Sequence, residues 1–232
     1  MKTFITSDAH VGSPYARTQD FMAFLRYARD TADQLVLNGD ILSIASTDNS
    51  EEQKQVLDRL KRLSNFINIV WLQGNHEPDP RNWRSPPPVV YRKQYTLLSG
   101  GKRILVVHGD EFEHILSRHH LLSNAFRLLY GITRKLGGKQ VHLAEFAKKL
   151  PFLYVPLCHH VRRNAVKYAR EQHIDTIVCG HVHFAENTLC SDVRYVNSGS
   201  WTGDEVFFVE INGEDVCLHR WEMSTQKGVL RD

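Results

Sequence analysis

Leu35-Val36-Leu37-Asn38-Gly39-Asp40 ends a short apolar run with a carboxylate on a glycine turn. Four more stretches repeat this design, closing an apolar run on residues of metal-ligand type. They are Phe4-Ile5-Thr6-Ser7-Asp8-Ala9-His10, Ile69-Val70-Trp71-Leu72-Gln73-Gly74-Asn75-His76-Glu77, Ile104-Leu105-Val106-Val107-His108-Gly109-Asp110 and Thr176-Ile177-Val178-Cys179-Gly180-His181-Val182-His183. Short apolar runs of this kind read as strands buried on both faces, and α/β proteins gather their sites just beyond the carboxyl ends of such strands. Five strands are therefore expected to deliver ligands to one edge, where a two-metal centre can assemble with Asp40 as its hub. Asp8 and His10, like His181 and His183, are two residues apart, a spacing that places both side chains on the same side of an extended segment.

The rest of the chain fits one domain. At 232 residues it is long enough to bury a substantial core. The net charge of +3 hides an asymmetry: from His114 to Arg170, eleven Lys and Arg face one acid, Glu145, giving that segment +10 and the remainder −7. A basic segment of this kind points to an anionic ligand, a membrane surface or nucleic acid, or to a solvated helical face. The four cysteines show no CxxC spacing and the first residues run straight into a strand, so a reduced, cytoplasmic setting is expected. No apolar run reaches the length of a membrane span, so any membrane contact would be peripheral, at the inner face and through the basic segment.

In chain order, strand Thr3–Thr6 precedes a helix over Gln19–Thr31 with Phe21, Phe24, Leu25 and Ala28 on one face. Strand Gln34–Leu37 precedes a second helix, capped within residues 48–52 and running to Leu63. Strand and helix alternate, which predicts an α/β fold with a parallel central sheet. Prolines 78, 80 and 86–88 make residues 79–88 a loop beside the site. Val89–Tyr91 and Gln94–Leu98 read as short strands, and Gly100-Gly101 as a hairpin turn into Arg103–Val107, with antiparallel pairing. From about residue 112 to 172 only helical periodicity remains, predicting about three helices as an inserted cap over the site. Arg194–Asn197, Val206–Ile211 and Val216–Trp221 then read as successive antiparallel strands, with Asn212-Gly213 as a hairpin turn.

The order Asp8-x-His10, Gly39-Asp40, Gly74-Asn75-His76-Glu77, His108-Gly109-Asp110, Gly180-His181-x-His183 resembles the calcineurin-like metallophosphoesterase superfamily over almost the whole chain. That resemblance implies a four-layer αββα sandwich with the helical cap inserted, and two metals bridged by Asp40. One metal would be held by Asp8, His10, Asp40 and His183, the other by Asp40, Asn75, His108 and His181. Mixed carboxylate, imidazole and amide ligands suit Mn²⁺ best, with Fe or Zn²⁺ as alternatives. Such a pair lowers the pKa of a shared water and clamps phosphoryl oxygens, and His76 would protonate the leaving oxygen or stabilise the transition state. Asp110 would back a ligand from behind. The superfamily usually has Asp where this chain has Glu77, whose longer arm would have to orient the His76 ring.

Within the superfamily the chain is most similar to the UDP-2,3-diacylglucosamine pyrophosphohydrolases. The features are residues 108–112 leading into the helical insertion, Val161 to Lys167, and Asn197 to Trp201. This implies a cap that shelters acyl chains, with Arg163, Asn164 and Lys167 on the head group and Asn75 also touching substrate. Several lipid hydrolases of that family carry Arg where this chain has His76. The alternative is a soluble phosphodiesterase or phosphatase acting on nucleotides or phosphoproteins. A non-catalytic scaffold fits poorly with a full ligand set, and no nucleic acid is expected, because basic and aromatic residues are not interleaved.

Overall fold

A computed structural model describes residues 1–43, 50–77, 87–113 and 151–222. The elements are β1 (Lys2–Thr6), α1 (Thr18–Thr31), β2 (Gln34–Asn38), α2 (Glu51–Leu63), β3 (Asn68–Leu72), β4 (Val90–Arg92), β5 (Gln94–Ser99) and β6 (Lys102–Val107). After a 3-10 turn (Asp110–Phe112) come α3 (Pro151–Glu171), β7 (Thr176–Cys179), β8 (Glu186–Cys190), β9 (Val193–Asn197), β10 (Phe207–Asn212) and β11 (Asp215–Arg220).

The strands form two sheets, ordered β11-β10-β1-β2-β3-β4 and β5-β6-β7-β9-β8. Successive strand side chains point to opposite faces, so a strand covered on both sides must be apolar at every position. In β2, Leu35 and Leu37 turn to a core shared with α1 and α2, while Val36 enters the core between the sheets. In β6, Leu105 and Val107 face α3, while Ile104 and Val106 face the first sheet. Three cores thus separate four layers, α/β/β/α. Strands β1, β2, β3 and β4 run parallel, as do β6, β7 and β9. Their carboxyl ends place the five ligand-bearing stretches at one edge of the sandwich.

The helices form where apolar spacing and caps coincide. Helix α1 buries Phe21, Phe24, Leu25 and Ala28. Ser50 starts α2 through a reciprocal capping box with Gln53, and Glu51 and Glu52 occupy its first turn. Among the described residues, no helix is long and apolar enough to cross a membrane. None of the four cysteines forms a disulfide.

Three elements depart from the expected arrangement. Strand β4 pairs with β3 in parallel, and the chain crosses to the second sheet before the antiparallel hairpin β5–β6, which turns at Gly100-Gly101. β9 belongs to the second sheet, between β7 and an edge strand, β8, that carries little apolar signal because every other residue of it is exposed. The hairpin β10–β11 at Asn212-Gly213 extends the first sheet. Helix α3 packs Tyr154, Cys158, Val161, Ala165 and Ala169 onto the second sheet, so residues 151–171 of the expected cap form an outer layer of the sandwich. Residues 114–150 of the cap and most of the proline-rich loop (78–86) lie outside the described residues.

Candidate metal centre

Asp8, His10, Asp40, His181 and His183 all have positive φ, between 45° and 66°. For non-glycine residues this left-handed conformation costs roughly 1–2 kcal/mol each. Five such residues at one sheet edge mean that the chain is held in strain there. The i,i+2 pairs therefore reach the site through tight left-handed turns, not along extended segments. Asp8 N–H donates to the Gly39 carbonyl and His10 N–H to that of Asp40, locking the first two ligand loops side by side.

Each carboxylate has one oxygen fixed by a backbone N–H and one turned inward. Asp8 Oδ2 accepts from His181 N–H at 2.9 Å, and Asp40 Oδ1 from His76 N–H at 2.8 Å. Asp8 Oδ1 lies 3.2 Å from His183 Nε2 and 3.8 Å from His10 Nε2. Asp40 Oδ2 lies 3.4 Å from His108 Nε2 and 3.9 Å from His10 Nε2. The His10 and His183 Nε2 atoms are themselves 3.1 Å apart. Among the described residues two candidate metal-holding groups result, Asp8–His10–His183 and Asp8–Asp40–His108, all buried. Asp8 thus belongs to both groups, whereas the ligand sets implied by the resemblance share Asp40.

The second side of the cluster is completed by Asn75, whose Oδ1 is 3.1 Å from His108 Nε2 and 3.1 Å from His181 Nδ1. The far nitrogen of each ring meets an acceptor: Asn38 O at 2.8 Å from His108 Nδ1, and Glu113 Oε2 at 2.6 Å from His181 Nε2. These acceptors hold a ring proton on the outside, so that once the inner nitrogen is deprotonated His108 Nε2 and His181 Nδ1 turn lone pairs toward the Asn75 oxygen, as metal ligands must. Asp8 Oδ1 has no hydrogen-bond donor among the described residues. Buried carboxylate, amide and imidazole acceptors converging on one spot are the environment a cation satisfies, a proton on His108 or a metal in its place, so the residues present fit a divalent metal pair.

The electrostatics agree. Burial disfavours an ionised Asp8, yet His183, His108 and His10 hold its carboxyl well below the usual range. Burial likewise works against an ionised Asp40, whose pKa is nevertheless lowered by its hydrogen bond to His108. For His108, burial opposes protonation, but the hydrogen bond to Asp40 and the charge of Asp8 push the pKa up to about 10. The buried carboxylates demand positive charge in their midst.

Glycines make this packing feasible. A β-carbon on Gly74 would strike Asp40 Oδ1, and one on Gly180 would strike Ser7 Oγ. His76 and Asn75 are exposed at the lip, and the His76 ring stands edge-on to His10 with centroids 5.6 Å apart. Glu77 has a different task from orienting that ring. Its Oε1 accepts from the N–H groups of Ile41 and Leu42, its Oε2 from Trp71 Nε1 and Gly74 N–H, so it staples the Asp40 loop to β3. Burial, then the charge of Asp40, push the Glu77 pKa up to about 7 while these donors pull it down. Asp110 opens the 3-10 turn.

The residues assigned to the substrate head group lie on α3. Asn164 donates to the Phe112 carbonyl, Arg163 is exposed, and Lys167 pairs with Glu171 at 3.9 Å. Tyr154, near the start of α3, donates to the Val182 carbonyl beside the ligands, and Lys167 sits about 20 Å further along the helix at 1.5 Å per residue. Glu113 and the staple formed by Glu77 escaped the sequence reading. Glu113 falls in a stretch read as the start of the cap, and only its carboxylate, five residues after His108, hinted at a role.

Residues 1–185 match the family model described as calcineurin-like phosphoesterase. The DNA polymerase II small subunit of Thermoplasma acidophilum is 25% identical, over 97% of this chain and 51% of its own length. The chain thus spans about half the length of that relative. Among solved structures, a novel archaeal phosphodiesterase superposes with a TM-score of 0.51 at 14% identity, over 95% of this chain and 98% of its own. YfcE, a phosphoesterase from E. coli, gives 0.50 at 16% identity, over 96% and 100%. At these identities the structural likenesses show the shared fold.

Proposed function

The chain belongs to the calcineurin-like phosphoesterase family, hydrolases of phosphoester bonds, and we propose that its metal centre cleaves phosphodiesters of nucleotide type. The observation that carries the hydrolytic reading is the buried cluster of Asp8, His10, Asp40, His108 and His183, open toward solvent at Asn75 and His76. Likeness to a DNA polymerase subunit supports the nucleotide side of the reading.

Asp8, His10 and His183 would hold one divalent ion, and Asp40, Asn75, His108 and His181 the other, with Asp8 and Asp40 at the boundary. Mn²⁺ is the proposed metal, with Fe and Zn²⁺ as alternatives on the same ligand chemistry. When bound, such a pair supplies Lewis acidity toward phosphoryl oxygens. Asn75 presents its amide at the mouth, where it would meet metal and substrate together. His76 stands at the lip with its backbone N–H on Asp40, in place to give a proton to the departing oxygen.

A second reading, hydrolysis of UDP-2,3-diacylglucosamine or a related lipid pyrophosphate at a membrane face, draws on the +10 charge and many Leu and Phe residues between 114 and 170. It is placed second because Lys167 is ion-paired well along α3 from the ligand edge. The deciding experiment compares Mn²⁺-loaded protein on bis-p-nitrophenyl phosphate, p-nitrophenyl phosphate, dinucleotides and micellar UDP-2,3-diacylglucosamine. The nucleotide reading expects diesters and dinucleotides to be turned over with the highest kcat/KM. Turnover confined to the lipid selects the second reading, and turnover of none of them contradicts the hydrolytic one.

A further inference from the structure

Glu113 follows the 3-10 turn after β6, and its Oε2 lies 2.6 Å from His181 Nε2. The pair is unequal in exposure, with side chains 43% and 12% exposed for Glu113 and His181. An ordinary surface ion pair of this kind contributes little to stability. It would not account for the strained backbone that aims the ring, with φ at 66° for His181. The other nitrogen of that ring faces Asn75 Oδ1 at 3.1 Å, on the side opposite Glu113.

His108 has the same layout. Its Nε2 faces the same Asn75 oxygen at 3.1 Å, and its Nδ1 meets the Asn38 carbonyl at 2.8 Å. Both rings therefore have an acceptor behind them and the centre in front. The acceptors differ in kind: a neutral carbonyl lies behind His108, a carboxylate behind His181. A carboxylate in that place fixes the tautomer and also makes the facing nitrogen a more basic ligand.

We infer that Glu113 is a positioning residue for the metal position built by Asn75, His108 and His181, acting through the His181 ring and leaving the Asp8–His10–His183 group alone. Its carboxylate puts a negative charge directly behind one ligand of that position, where His108 has a neutral carbonyl. This inference rests on the two-metal reading above.

The test uses the full chain stripped of metal and titrated with Mn²⁺ alone, followed by calorimetry and by the electron paramagnetic signal of free Mn²⁺. The unsubstituted chain should show two binding events. Glu113→Ala should weaken one of them about 10–100-fold and leave the other unchanged. Glu113→Gln, which keeps an acceptor oxygen without the charge, should recover part of the loss. In a His181→Ala background, Glu113→Ala should add nothing further. Two unaltered events in Glu113→Ala would overturn this inference while leaving the two-metal reading in place. Equal weakening of both events with a lowered melting temperature would reduce Glu113 to a structural role and also overturn it. A single event in the unsubstituted chain would overturn both readings together.

Discussion

Gly74→Ala tests how tightly the fold holds the Asp40 carboxylate. An added β-carbon at this position would collide with Asp40 Oδ1 and approach Asp40 N, both fixed in the backbone turn that carries the ligand. Overpacking of a filled interior costs roughly 1–3 kcal/mol. Displacing the carboxylate also breaks its bond from His76 N–H at 2.8 Å, a charged hydrogen bond of about 1.5–3 kcal/mol. Together these predict a loss of about 2.5–6 kcal/mol. At this chain length that lowers Tm by roughly 5–24 °C. Gly213→Ala is the control: Gly213 carries a positive φ, 61°, that Gly74 lacks, and a β-carbon there meets nothing within 4 Å, so it isolates backbone strain from the clash. It should cost about 1–2 kcal/mol and leave metal binding untouched. Thermal melting monitored by circular dichroism, with elemental analysis of the same samples, reads both effects. If Gly74→Ala melts like Gly213→Ala and keeps its full metal complement, the proposed packing of Gly74 on Asp40 is wrong.

Asp40→Asn should fold normally but lose metal and most activity on an aryl phosphodiester, since an amide cannot neutralise the cations; unchanged turnover with full metal content would remove Asp40 from the centre. His76→Ala should keep both metals while lowering turnover about 10²–10⁴-fold. That loss should shrink for nitrophenolate, which leaves without a proton, and equal impairment for good and poor leaving groups would leave His76 a purely electrostatic contact. The raised His108 pKa, about 10 against 6.5, means that the metal-free protein carries a proton there at neutral pH. In that form the stabilising contribution of the pair with Asp40 is complete below about 6.5 and is lost as pH rises through about 10. Metal binding must expel the proton, so affinity should climb with pH over this window and calorimetry in buffers of different ionisation enthalpy should detect proton release. Binding without proton release would contradict the raised pKa.

The sandwich was legible in the sequence because its central strands are apolar on both faces, as Leu35-Val36-Leu37 and Ile104-Leu105-Val106-Val107 are when each borders two cores. The ligand order was legible for a related reason: side chains delivered from strand ends must sit at fixed distances beyond apolar runs. Strand β8 was not, since the alternation in Glu186–Cys190 is between half-buried and exposed positions and leaves a polar stretch. The sheet to which β4 and β9 belong depends on long-range pairing that no local pattern encodes. Helix α3 is the last part of the stretch whose helical periodicity suggested a cap, yet it presents Val161, Ala165 and Ala169 to the second sheet. Periodicity marks a helix but not which layer its apolar stripe joins. Glu77 was misread for another reason: its partners, the N–H groups of Ile41, Leu42 and Gly74 and the Trp71 indole, become neighbours only when β2 and β3 pair.

Metal content measured on the unsubstituted chain and on Asp8→Asn tests the central claim most directly, because Asp8 belongs to both candidate groups. Elemental analysis after loading with Mn²⁺ and removal of free ion should give two metals per chain in the unsubstituted protein. Asp8→Asn should lose both and with them phosphodiester hydrolysis, while its far-ultraviolet circular dichroism stays that of the folded chain. Fewer than two metals in the unsubstituted protein, or two retained in a folded Asp8→Asn chain, would contradict a two-metal hydrolytic centre built on these strand ends.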